Sequence, residues 1–148
     1  MSAAIRPAEP DDLDEILALV RELAEFEQLA DQVAFDPEEF GLNLFGDDPV
    51  ASVLIAEIDG RVVGMALWFR TFSTFLGQAG IWLEDLYVRP ADRGQGIGTA
   101  LLHRLRSMTD GRVEWSVLDW NERAIEVYRG LGARPLEGWT TYRWLPEG

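Results

Sequence analysis

WLEDLYVRPADRGQGIGT, residues 82–99, decides how the rest of the chain is read. Trp82 to Val88 has the composition and alternation of a strand, Arg89 to Gly94 is a connector, and the glycines at 94, 96 and 98 run into an amphipathic segment. A strand that passes through a glycine turn into a helix exposes unpaired backbone N–H groups at the positive end of the helix dipole. Those are the parts of a phosphate site. Alternate glycines let the backbone approach a ligand closely and turn several N–H groups the same way. The run is not a dinucleotide fingerprint, because G-x-G-x-x-G would need glycine where Thr99 stands.

Working outward, the period of apolar residues changes along the chain. Ala4 to Arg6 reads as a first strand stopped by Pro7. Leu13, Ile16, Leu17, Val20, Leu23 and Ala24 have helical spacing, opened by Pro10-Asp11-Asp12 and ending near Gln28. Asp36 to Glu39 starts a second helix, which runs out at Gly46-Asp47-Asp48-Pro49. Val50 to Ile58 and Arg61 to Phe69 are two strands joined by the hairpin turn Asp59-Gly60. After the glycine turn, Ile97, Leu101, Leu102, Leu105 and Met108 mark a helix face. Val113 to Leu118 is a strand, Asn121 to Gly130 a short helix with Ala124, Val127 and Leu131 inward, and Thr140 to Leu145 a final strand. The expected order is β-α-α-β-β-β-α-β-α-β, with about four helices on a mixed central sheet. That is a three-layer α/β (α+β) domain spanning residues 1–148, with no repeat and no linker.

Composition excludes several kinds of chemistry. The chain has 148 residues, 47% of them hydrophobic, and no cysteine, so disulfides, thiolate metal sites and a cysteine nucleophile are all absent. All 13 basic residues are arginine, which excludes a Walker A loop and a lysine Schiff base. The single histidine, His103, lies on the polar side of its helix, and no metal site is expected. No apolar run is long enough to span a membrane and the N-terminus lacks a signal pattern, so a cytoplasmic protein is expected. The net charge of −13 opposes nucleic-acid binding. It is also unevenly placed. Ala8 to Asp59 carries sixteen acids against one base, Arg21, whereas Leu86 to Arg112 carries five arginines against two acids. Such a bipolar chain suits a cationic substrate at one end and an anionic cofactor at the other.

With this context, R-G-Q-G-I-G after a strand ending in L-Y-V resembles the acyl-CoA motif of the GNAT superfamily of N-acetyltransferases. Its Arg/Gln-x-x-Gly-x-Gly/Ala pattern is met by Arg93, Gly96 and Gly98. Phe26-Glu27, D-Q-V at 31–33, W-L-E-D-L-Y-V, V-L-D-W-N-E-R-A at 117–124 and V-Y-R-G-L-G-A at 127–133 resemble the diamine (spermidine/spermine) and thialysine N-acetyltransferase branch. The resemblance implies acetyl-CoA as cofactor and a small-molecule amine as partner. Leu86, Tyr87 and Val88 would pair their backbone with the pantetheine arm, and Arg93, Gly94, Gln95, Gly96, Ile97, Gly98 and Thr99 would cradle the pyrophosphate. Asn121, with Glu122, Arg123 and Ala124, would hold the cofactor edge. Tyr128 matches the tyrosine that protonates the departing thiolate, and Glu84 a carboxylate beside the amine. Phe26, Glu27, Asp85, Glu114, Trp115 and Ser116 fall where substrate contacts lie. Members of the branch usually pair as homodimers. The chain departs from polyamine-preferring relatives at Ser73-Thr74-Phe75, where they carry an acid followed closely by tryptophan.

The residue types suit the reaction. An aliphatic amine with a pKa of about 10.4 is neutral in only about one molecule in 2,500 at pH 7, so a carboxylate must take its proton. Glu84 and Asp85 are both candidates. On a regular strand they face opposite sides of the sheet, so only one can serve unless a bulge intervenes, and the family resemblance favours Glu84. Tyr128 would donate to a thiolate about 2 kcal/mol uphill. A backbone N–H near Leu86 would polarise the carbonyl. The expected activity is acetyl transfer to a primary amine of a small cationic acceptor by direct attack in a ternary complex. The rivals are acetylation of a protein N-terminus or an antibiotic amine, and a non-catalytic CoA-binding module.

Overall fold

In the computed structural model, which describes residues 2–147, the strands β1 (Ala4–Pro7), β2 (Ser52–Ile58), β3 (Arg61–Ser73), β4 (Gln78–Val88) and β5 (Val113–Trp115) form one mixed sheet in the order β1-β2-β3-β4-β5. The first four are antiparallel neighbours, and β5 joins β4 in parallel. The helices are α1 (Leu13–Phe26), α2 (Pro37–Phe45), α3 (Ile97–Ser107) and α4 (Glu122–Gly130). The mixed sheet with four helices agrees with the expected fold class. By internal packing the chain divides into two compact units, one ending at Ser116 and the other beginning at Val117. No helix among the described residues is long and apolar enough to cross a membrane.

Local chemistry accounts for the elements of the first unit. The Asp59-Gly60 turn has positive φ at both residues (52° and 76°), the backbone of a tight hairpin, and it joins β2 to β3. Asp36 caps α2 by accepting the Glu39 N–H, and Pro37 occupies the first helical position. Apolar residues of α1 bury one stripe, with Ile16 and Leu19 fully enclosed, against Val53, Ile55, Met65, Leu67 and Tyr87 of the sheet. On α3, Leu101 and Leu105 are likewise fully enclosed.

Two acids that are rarely buried alone are buried here with arginine partners. Arg6 on β1 bonds both oxygens of Asp12 (2.8 and 2.9 Å) and reaches Glu57 at 3.3 Å. Asp12 also accepts the Glu9 N–H, so one carboxylate ties β1 to the turn that opens α1. Arg61 grips both oxygens of Asp92 (3.0 and 3.1 Å), which fastens the Pro90–Asp92 turn to the start of β3. Each arginine holds its aspartate below the usual carboxylate range.

The second unit departs from the sequence reading. Thr140 to Leu145 forms no strand, and Tyr142 and Trp144 are exposed. Alternation alone does not make a strand. Its backbone groups need a neighbouring ladder. On α4, Val127 and Leu131 are exposed rather than inward. The strand expected over Val113 to Leu118 stops at Trp115.

Candidate active site

The centre of the site is an irregularity in β4. Leu67 pairs with Asp85 and Trp68 with Leu83, so Glu84 has no partner on β3 and forms a β-bulge. The extra residue changes which way everything after it points. Before the bulge, Ile81 donates its N–H to Arg112, and Ile81 to Leu83 pair with Val113 to Trp115. Beyond it, the bond from the Arg89 N–H to the Val63 carbonyl fixes the phase of the β3–β4 ladder. Asp85 and Tyr87 therefore turn their backbone groups towards β3. Leu86 and Val88 turn theirs to the other side, where no described strand pairs with them.

The same slip gathers acidic side chains on one face. Asp85, opposite Leu67, shares the α1 side of the sheet with Tyr87, although Leu83 two residues earlier lies on the α3 side. Glu84 is exposed at the bulge, and the Trp82 indole Nε1–H donates to its Oε1 at 3.0 Å. Glu27 follows the last residue of α1, which ends as Gln28 enters the left-handed region at φ 62°. Burial pushes the Asp85 carboxyl up to about 6, and the charges of Glu84 and Glu27 add to the effect. Burial also raises Glu27. Three carboxylates thus share one patch between the end of α1 and the middle of β4.

Arg89 fixes this patch to the body of the unit. Its guanidinium donates to Glu22 (3.2 Å) and Glu15 (2.8 Å) on α1 and to the Val62 carbonyl (3.0 Å). The Tyr87 hydroxyl also reaches Glu22, at 3.5 Å. Its phenol is raised, first by burial and then by the Glu22 charge.

The glycine turn lies beyond Asp92. Gly94 and Gly96 have φ of 83° and 77°, backbone that side-chain-bearing residues avoid, and Gly96 is the N-cap of α3. No side chain caps that helix, so the N–H groups of Ile97, Gly98 and Thr99 keep their capacity for an external acceptor. Buried Ile97 anchors the first turn. Open donors, a helix dipole and an exposed strand edge suit a ligand with a phosphorylated end and an amide-bearing arm.

Other expected site residues lie as follows. Glu114 pairs across from Trp82 and lines a shallow pocket with Thr71, Phe72 and Arg112, while Trp115 pairs with Leu83. Ser116 is the last residue of the first unit. In the second unit Asn121 is the N-cap of α4, its Oδ1 accepting the Ala124 N–H at 3.3 Å. Glu122, Arg123 and Ala124 form the first turn of α4, and Tyr128 lies further along it. Sequence reasoning missed the partnership of Trp82 with Glu84. Only the presence of an indole two residues before the acid hinted at it.

Comparison with known proteins identifies the family and the fold. Residues 16–133 match the family model described as the acetyltransferase (GNAT) family. The chain is 38% identical over 161 aligned positions to the thialysine N-epsilon-acetyltransferase of Sus scrofa, covering 99% of this chain and 94% of that protein. It is 34% identical to the human spermidine/spermine N(1)-acetyltransferase-like protein 1, over 97% of this chain but 22% of that longer protein. A possible acetyltransferase from Clostridium difficile 630 has the same fold, with a TM-score of 0.82 at 19% identity and full coverage of both chains.

Proposed function

We propose that this chain, which belongs to the acetyltransferase (GNAT) family and is an N-acetyltransferase, takes its acetyl group from acetyl-CoA and delivers it to the primary amine of a small cationic acceptor. The observation that carries this reading is the carboxylate patch of Glu27, Glu84 and Asp85 at the bulge, beside an unpaired strand edge that leads to an uncapped helix N-terminus. An acceptor with one or two ammonium groups meets the charge it needs at one end. The acyl donor's pyrophosphate meets backbone N–H groups at the other.

The acyl donor supplies the activated carbonyl, and the chain's own residues do the rest. Leu86, through its N–H and carbonyl, and Val88, through its N–H, would hold the pantetheine arm, and the Leu86 N–H would polarise the thioester carbonyl. Residues 94–99 take the pyrophosphate. Glu84, exposed at the bulge, accepts the ammonium proton directly or through water, so that the neutral amine attacks in a ternary complex. Asp85 and Glu27 hold the cation in place. Tyr128 is proposed as the proton donor to the departing thiolate, and Asn121 as a cofactor contact, both on their places in the N-E-R-A and V-Y-R-G motifs. The family match spans residues 16–133 and so extends to both sides of residue 116, which supports one acetyltransferase domain made of both units. A cytoplasmic homodimer completes the proposal, and sedimentation velocity measures the dimer.

Loss of the acidic loop at Ser73-Thr74-Phe75 favours a short acceptor with a second charged group over a long polyamine. The test is thiol release from acetyl-CoA with putrescine, spermidine, thialysine and lysine. Turnover of a short diamine or a lysine-like amine supports the reading. Absence of turnover on all four, with CoA bound, overturns the substrate class.

A further inference from the structure

We infer that Arg93 is a positioning residue for the amine acceptor, acting through Phe26, and that its side chain is not what holds the cofactor's phosphates. This rests on the function proposed above for the identity of the two ligands. Arg93 stands at the entrance to the glycine turn, where a cation is naturally assigned to a phosphate. Its guanidinium is instead engaged elsewhere. The Cζ lies 5.0 Å from the centroid of the Phe26 ring and 5.4 Å from that of Tyr87. Its Nε donates to the Val88 carbonyl at 2.8 Å. A planar cation held against two ring faces and a carbonyl is well fixed, and that geometry is specific to arginine.

What the bracket joins gives it a role. Phe26 ends α1 and is 42% exposed, and the next residue is Glu27, one of the three carboxylates of the patch. Tyr87 is a buried residue of β4, two places after Asp85 on the same face. Arg93 therefore ties the C-terminal end of α1 to the strand that carries Glu84 and Asp85. It sets the spacing of the patch that receives the ammonium. The anion site loses nothing by this, because its donors are the backbone N–H groups of the turn and of α3.

The experiment separates the two ligands. Arg93→Lys keeps the charge and removes the planar fork, and Phe26→Leu removes one of the rings from an exposed position. CoA affinity is measured by calorimetry without amine, and KM and kcat are measured for both substrates. The expected result is a five- to twenty-fold rise in amine KM in each variant, with CoA Kd and kcat within two-fold of wild type. Combining the two gives no more than the larger single effect, because both remove one shared contact. A tenfold loss of CoA affinity in Arg93→Lys, with or without an amine effect, overturns the inference. So does an unchanged amine KM in Phe26→Leu, which also decides the matter if Arg93→Lys fails to fold. Inactivity of the wild-type chain on every amine condemns the proposed function instead, and is read before any variant.

Discussion

Glu84 and Asp85 are adjacent acids with different surroundings, and each predicts a different outcome when neutralised. Glu84→Gln keeps the shape and the indole bond to Trp82, and kcat is expected to fall about 10²- to 10⁴-fold in steady-state assays with little change in CoA affinity. Tyr128→Phe is expected to lower kcat while calorimetry finds CoA bound as before. Asp85 is half-buried beside two other carboxylates, with its pKa raised from 3.8 to about 6. A carboxyl raised on folding stabilises the protein below its unfolded pKa, and that stability is lost as pH rises through about 6. Asp85→Asn should therefore raise Tm at pH 8, where the charge costs on the order of 1–3 kcal/mol, and give a smaller gain or none at pH 4. The wild-type amine KM should rise as pH falls below about 6, because protonation of Asp85 removes one of the charges that hold the ammonium. The two acids were legible in the sequence as a pair. Their placement on one face was not, because it depends on a bulge whose residues carry no distinctive signature. The burial of Asp85 beneath α1 is a long-range fact that neighbours in sequence do not reveal.

Among the elements, the glycine turn was the most legible, since glycine spacing bears directly on backbone geometry. Its glycines are nevertheless not equivalent. Gly96 sits at φ 77°, where an L-residue is strained by about 1–2 kcal/mol, whereas a Cβ on Gly98 meets only Val88 Cγ2 at an ordinary 3.9 Å. Gly96→Ala is expected to lower Tm and weaken CoA binding. Gly98→Ala, inside the first turn of α3, is expected to hold or raise Tm, because alanine has the better helix propensity. Thermal unfolding of the two variants side by side checks the contrast. The final strand shows where pattern reading ends. Thr140 to Leu145 alternates as a strand does, but a strand forms only with a partner, and pairing is not written in the segment itself. The early end of β5 at Trp115 has a related cause, because its pairing with β4 is lost at the residue where the bulge begins.

The whole molecule carries a net charge of −13, with its acids concentrated in the segment that contains α1 and α2. Its field attracts a cationic acceptor over distances that salt controls. The screening length shrinks from about 30 Å at 0.01 M ionic strength to about 3 Å at 1 M. The KM for a diamine is therefore expected to rise several-fold across that range, measured at saturating acetyl-CoA, and a singly charged amine should respond less. An acceptor KM indifferent to salt would mean that binding depends on contact alone. The polarity of the molecule was legible from the positions of its charges along the chain. That Glu27 at the end of α1 joins Glu84 and Asp85 at β4 depended on how α1 packs on the sheet.

The unpaired Glu84 also has a consequence for change by insertion and deletion. The bulge absorbs one extra position, so that Leu83 and Asp85 keep adjacent partners on β3, Trp68 and Leu67. Replacing Glu84 alters a side chain and leaves the bulge in place. Removing the residue altogether would close the ladder with Asp85 still opposite Leu67 and on the side away from Leu83, because consecutive strand residues alternate. A one-residue deletion at this point therefore takes away the Glu84 carboxylate and the local twist, while the strand beyond it keeps its faces.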